Sequence, residues 1–126
     1  MVDVIKQISY WRTSAEEDWE VANRLIKAKK VRHGLFFVHL AVEKVLKAHV
    51  CKQTLDLAPR IHNLIRLAEL SSLELNPGQQ DLLAELNAFN IEGRYPESLL
   101  PPPTVAEAKA YLKQAKEIYQ WLMNQL

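Results

Sequence analysis

Apolar residues recur every three or four positions along most of the chain, the period of one face of an α-helix. Trp11, Ala15, Trp19, Ala22 and Ile26 make the first such stripe and predict a helix from about Asp3, a candidate N-cap, to about Lys29. Ser14 followed by Glu17 has the spacing of a capping box, which offers a second start near Ser14 with the earlier residues as a separate arm. The sequence leaves both starts open. Lys27, Lys29, Lys30, Arg32 and His33, with Gly34 behind them, have the character of a helix C-terminus followed by a turn. Cations there complement the helix dipole, and a phosphate-binding patch is the rival use of the same charges.

The next stretch, about Gly34 to Lys52, is apolar on more than one face: Leu35, Phe36, Phe37, Val38, Leu40, Ala41, Val42, Val45, Leu46, Ala48 and Val50 cover nearly every direction. It is expected to be the central helix, with surplus apolar surface available for a homodimer contact. Pro59 breaks the chain before a short helix, Ile61 to Leu70. Asn76 and Pro77 read as the N-cap and first residue of a helix over about 77–90, with Leu82, Leu83, Leu86 and Phe89 inward and Gly93 just past its end. Four prolines and that glycine between Ile91 and Pro103 predict a long loop. Thr104 and Glu107 form a capping box, and Val105, Ala108, Leu112, Ala115, Tyr119, Leu122 and Leu126 then step by three and four. The pattern therefore predicts an all-α fold, an up-down antiparallel bundle of four to five helices.

At 126 residues, residues 1–126 fit one domain, and 48% hydrophobic residues suffice for its core without help from a metal or cofactor. Sixteen Lys and Arg against fifteen Asp and Glu give a net charge of +1, so any polyanion site must be local. The single cysteine, Cys51, excludes an intrachain disulfide and a multi-Cys zinc cluster and fits a reducing compartment. Asp3, Lys6 and Arg12 interrupt the first residues, and the most apolar stretch, Leu35 to Val42, is far short of the roughly 20 residues that span a bilayer. A soluble, cytoplasmic protein with no membrane contact is expected.

Few residues offer chemistry. The three glycines stand alone at 34, 78 and 93, so no phosphate-cradling loop exists. No His-Glu-x-x-His pair or Glu-x-x-His repeat occurs, and no metal site is expected. Cys51 and His49 are two apart, which on a helix turns them to different faces. Of the four histidines, His33 falls in the basic turn and His39 and His49 on the central helix. His62, after Pro59 and Arg60, is best placed to face two segments. Glu43 and Lys47 have the i to i+4 spacing of an ion pair, and on a central helix Glu43 needs a partner, for which Arg94 in the long loop is a bidentate candidate.

In order, AEEDWEVANRLI, LFFVHLAVEKVLKAHV, HNLIRL and LNAFNIEGRYP span about Ala15 to Pro96, ahead of the capped last helix. This succession resembles the HEPN domain (higher eukaryotes and prokaryotes nucleotide-binding), in the branch whose fourth segment ends Arg-Tyr-Pro. The resemblance implies a helical bundle that pairs as a homodimer, with a role tied to nucleotides or RNA. Many HEPN proteins carry an Arg, four to six residues and a His as a metal-independent ribonuclease site. Arg94 stands where that Arg would be expected, but no His lies between Tyr95 and Pro103. Arg32 and His39 fit the spacing in the wrong place, roughly 10 Å apart along one helix.

Three readings follow. In the first, the chain is a noncatalytic nucleotide-binding or partner-binding module in which Glu43, Lys47, His62, Arg94 and Tyr95 shape a cleft. The resemblance suggests a minimal nucleotidyltransferase as its companion, in a toxin-antitoxin-like pair. In the second it is a ribonuclease with a nonstandard site, His62 as acid-base group and Arg94 on phosphate. In the third the bundle is purely structural and dimeric, with Arg94 pinning the loop to Glu43. Tyr95 beside Arg94 also suits a base stacked next to its phosphate.

Overall fold

A computed structural model describes residues 2–94 and 101–126, with side chains described at 2–90 and 101–126. The described residues are helical with no strand: α1 Val4–Lys27, α2 Val31–Thr54, α3 Leu64–Leu70, α4 Pro77–Arg94 and α5 Val105–Met123. The starts follow the local chemistry. Asp3 accepts a hydrogen bond from Lys6 N, so α1 begins at the earlier of its two candidate starts. Ser14 sits inside α1 instead, where its hydroxyl accepts from Lys44 Nζ at 2.7 Å. Asn76 Oδ1 accepts from Gln79 N while Gln79 Oε1 accepts from Asn76 N, a reciprocal cap on α4. The Thr104 and Glu107 capping box closes the start of α5.

Contacts fix the directions. Ile26 meets Gly34, Ser14 meets Lys44 and Lys47 lies over Trp11, so α1 and α2 are antiparallel. Trp19 stacks on Tyr119 at 4.5 Å, and Ile26 and Lys27 share a groove with Lys109 and Leu112, which lays α5 antiparallel to α1. His49 and Lys52 reach the Leu122 and Gln125 carbonyls, so α2 and α5 run the same way. The arrangement is an up-down bundle in which α2 packs against all four other helices. Leu35, Val38, Val42, Val45 and Leu46 are wholly buried, and the large apolar side chains left exposed, Ile5, Tyr10, Val21, Leu55 and Leu57, lie outside α2. The helix that reads as too apolar for one bundle is thus largely covered within a single chain.

Three expectations need correction. Gly34 is not in a turn: α2 begins at Val31, and the positive φ of the α1–α2 connector falls on Lys29 at 65°. Gly34 is instead a close approach, since a Cβ there would collide with Ile26 Cγ1. The short helix starts at Leu64, not Ile61, with Asn63 as its cap. The fourth helix runs through Gly93 to Arg94, past its expected end near Asn90. Among the described residues no helix is long and apolar enough to cross a membrane.

Candidate functional site

His39, Glu43 and Lys47 follow one another by four residues and so share one face of α2. All three are buried, with side chains 0%, 3% and 7% exposed. Taking a carboxylate from water demands compensation, and Glu43 finds it on both oxygens. Lys47 Nζ lies 3.3 Å from Oε2. Oε1 accepts from His62 Nδ1 at 3.0 Å, while His39 Nδ1 stands 3.7 Å from that same oxygen, beyond hydrogen-bond reach. Lys47 is further held over the Trp11 ring, 5.1 Å from its centroid.

Two asparagines bring His62 to this place. Asn63 caps α3, accepting from Ile65 N and Arg66 N. Asn87 of α4 accepts from Leu64 N at 2.9 Å and donates to Asn63 Oδ1 at 3.2 Å. The segment before α3 is therefore tied to α4, and His62, the residue ahead of the cap, lies over Glu43. Because a carboxylate only accepts, the neutral ring carries its proton on Nδ1. Nε2 is left without a hydrogen-bond partner among the described residues, on a side chain 48% exposed.

His39 differs in kind. It is fully buried, and neither ring nitrogen reaches good hydrogen-bond geometry among the described residues. Burial holds its pKa below the ordinary imidazole value, and the Glu43 charge, the His62 carbonyl and the Asn87 side chain oppose that only in part. Burial also removes it from any direct encounter with a substrate, so the Arg32 and His39 spacing makes no surface site. Trp11 Nε1 is likewise buried without a partner among the described residues.

The structure brings Glu43, Lys47 and His62 together, with only His62 well exposed. Arg94 is the last residue of α4, seven residues or about 10 Å along the helix from Asn87, and its side chain lies outside the described residues. Tyr95 lies outside them altogether. His39, Asn63, Asn87 and Trp11 belong to the cluster although sequence reasoning does not single them out for it. His39 is signalled by its four-residue spacing to Glu43, and Asn63 by its place just before an apolar helix. His49 lies elsewhere, its Nε2 donating to the Leu122 carbonyl at 2.8 Å, and Cys51 is buried with its thiol pushed up by desolvation. No group of three or more metal-ligating side chains occurs among the described residues.

The model of the HEPN domain matches residues 8–126. The chain belongs to the HEPN family. Two solved structures share its fold: TT1696 from Thermus thermophilus has a TM-score of 0.79 at 19% identity, covering 95% of this chain and 98% of that one. The archaeal HEPN homologue ST0689 has a TM-score of 0.73 at 22% identity, covering 94% of this HEPN chain and 96% of its own. No curated protein matches this HEPN chain.

Proposed function

We propose that this HEPN protein is a noncatalytic module that receives a nucleotide, an RNA segment or a protein partner at the edge marked by His62. In this reading it belongs to the branch with Arg94, Tyr95 and Pro96 after the fourth helical segment and works beside a minimal nucleotidyltransferase, in a toxin-antitoxin-like pair. The observation that carries it is the commitment of Lys47. Phosphoryl chemistry needs a cation free to meet developing charge, whereas the Lys47 ammonium is held between Glu43 and the Trp11 ring. The cluster thus forms a fixed wall that presents one imidazole of fixed tautomer. Such a wall recognises a hydrogen-bond donor without reorganising.

One observation favours a ribonuclease instead. Glu43 orients His62 as a carboxylate orients a catalytic imidazole, leaving Nε2 to exchange a proton, with Arg94 as the cation on phosphate. Incubation of the purified protein with structured and single-stranded RNA in EDTA separates the two. The binding reading expects intact RNA, and a complex with nucleotide, RNA or the nucleotidyltransferase that His62→Ala weakens. Cleavage that persists in EDTA and disappears in both His62→Ala and Arg94→Ala overturns it in favour of the ribonuclease.

A further inference from the structure

Between Arg66 and Arg94 the chain carries Glu69, Glu74, Asp81, Glu85 and Glu92 and no Lys or Arg, although its net charge is +1. A negative potential therefore gathers along α4. Both α4 and α5 pack on α2 but only slightly on each other, and a groove opens between them. Dipole complementation accounts for one acid of this groove, Glu107 in the first turn of α5. It does not account for the other two. Glu85 lies in the middle of α4, and Glu117 lies toward the C-terminal end of α5, where a cation would be favoured.

Two concavities that share Gln114 make up the groove. One, of about 430 Å³, sets Glu117 and Trp121 around the apolar residues Leu82 and Ile118. The other, of about 310 Å³, sets Glu85 and Glu107 beside Tyr111 and Ala110. Tyr111 is held edge-on against Phe89, with ring centroids 5.1 Å apart. Glu85 and Glu117 make no ion pair among the described residues. Glu107 accepts from Thr104 N through Oε1, which leaves its second oxygen to accept from elsewhere. Among the described residues no Lys or Arg lines either concavity.

We propose that this groove binds a linear polyamine, with one ammonium between Glu117 and the Trp121 ring, another between Glu85 and Glu107 beside Tyr111, and the methylenes along the apolar residues between them. An ammonium is attracted both by a carboxylate and by an aromatic face, and each end of the groove offers the two together. The apolar lining suits an alkyl chain, which a hydrated metal ion lacks, and no group of three or more metal-ligating side chains occurs among the described residues. Tyr111 and Trp121 are ten residues, or about 15 Å, apart along α5. That spacing sets the ligand's length: spermine reaches both rings, whereas putrescine, with only four methylenes between its ammoniums, reaches one. Both volumes fall in the lower part of the range of ligand pockets, which fits a slender chain. The inference goes beyond the preceding reading, because this groove belongs to α4 and α5 whereas His62 precedes α3.

The test is isothermal titration calorimetry of the full chain with spermine at low salt, where exposed charges are least screened. One spermine per chain is expected, bound about tenfold or more tighter than putrescine, since a second charged contact is worth at least that factor. Glu85→Gln and Glu117→Gln, both at exposed positions, are each expected to weaken spermine about tenfold. Glu74→Gln removes the same charge from an exposed position outside the groove and is expected to leave the affinity unchanged. His62→Ala is likewise expected to change nothing, which separates failure of this inference from failure of the His62 reading. No binding at millimolar spermine overturns the inference. Equal weakening by Glu74→Gln also overturns it, as the mark of diffuse attraction, and so does equal affinity for putrescine. Displacement of spermine by an equal concentration of magnesium, or of a lysine-rich peptide, overturns it in favour of an unselective cation site or a basic protein segment.

Discussion

Glu43 and Lys47, one turn apart on α2, form a 3.3 Å ion pair that water hardly reaches. Removing one member of a buried pair leaves the other desolvated and uncompensated. Glu43→Gln is therefore expected to lower the unfolding free energy by about 3 kcal/mol in urea denaturation. Adding Lys47→Met to that variant should recover part of the loss, because the stranded ammonium is gone. A loss below about 1 kcal/mol in the single variant would show that the pair is solvated like a surface bridge.

The contact between Gly34 and Ile26 gives a second prediction, opposite to helix propensity. Ala is favoured over Gly inside an exposed helix by about 1 kcal/mol. At Gly34 the new methyl would collide with Ile26 Cγ1 and stand 3.2 Å from the Ile26 backbone nitrogen. Gly34→Ala is expected to destabilise by about 1–2 kcal/mol net, since overpacking costs about 1–3 kcal/mol. In the double variant with Ile26→Ala the loss should be smaller than the sum of the two single losses, as measured by a double-mutant cycle.

Acid should weaken the fold through two histidines. Burial holds both His39 and His49 below the ordinary imidazole value of 6.5. As pH falls through 6.5 the unfolded chain takes up protons that the folded chain refuses. The stability these neutral rings contribute is therefore complete above 6.5 and lost progressively as pH drops from there through their folded values. Each ring adds a slope approaching about 1.4 kcal/mol per pH unit. Denaturation curves at about pH 7 and about pH 5.5, either side of the free imidazole value, measure it. His49→Gln, which retains a donor for the Leu122 carbonyl, is expected to remove one ring's share, and an unaltered slope would refute the assignment.

Cys51 should report global unfolding. It is buried and its thiol is pushed up by desolvation, so little thiolate exists and none is accessible in the folded chain. Modification by a thiol-specific disulfide reagent is expected to be slow in buffer and to accelerate along the same urea transition seen by circular dichroism. Rapid labelling without denaturant would reveal a local opening at the C-terminal end of α2.

Local signals carry most of the fold. Asp3, Asn76 with Pro77, and Thr104 with Glu107 announce three helix starts, because a cap needs only residues a few positions apart. Gly34 misleads because a glycine that permits a turn and one that permits two helices to touch are the same letter; only Ile26 distinguishes them. Gly93 misleads too, since α4 continues through it. Within the site, the Glu43 and Lys47 pair is visible from its spacing. The bond from His62 joins residues nineteen apart and depends on the asparagine pair between α3 and α4, which no periodicity encodes.

The connector between α1 and α2 spans only Ala28 to Lys30, whereas His49 and Leu122 are joined across 73 positions. Bringing chain ends together costs more as the intervening loop grows, by about 0.6 kcal/mol per doubling, so the first hairpin forms at a discount of roughly 3 kcal/mol relative to the last helix. Its packing is also the most extensive in the bundle. The molecule thus has a built-in order of assembly: α1 and α2 condense as a nucleus of neighbours, and α5 arrives late to be clasped at its end by His49 and Lys52.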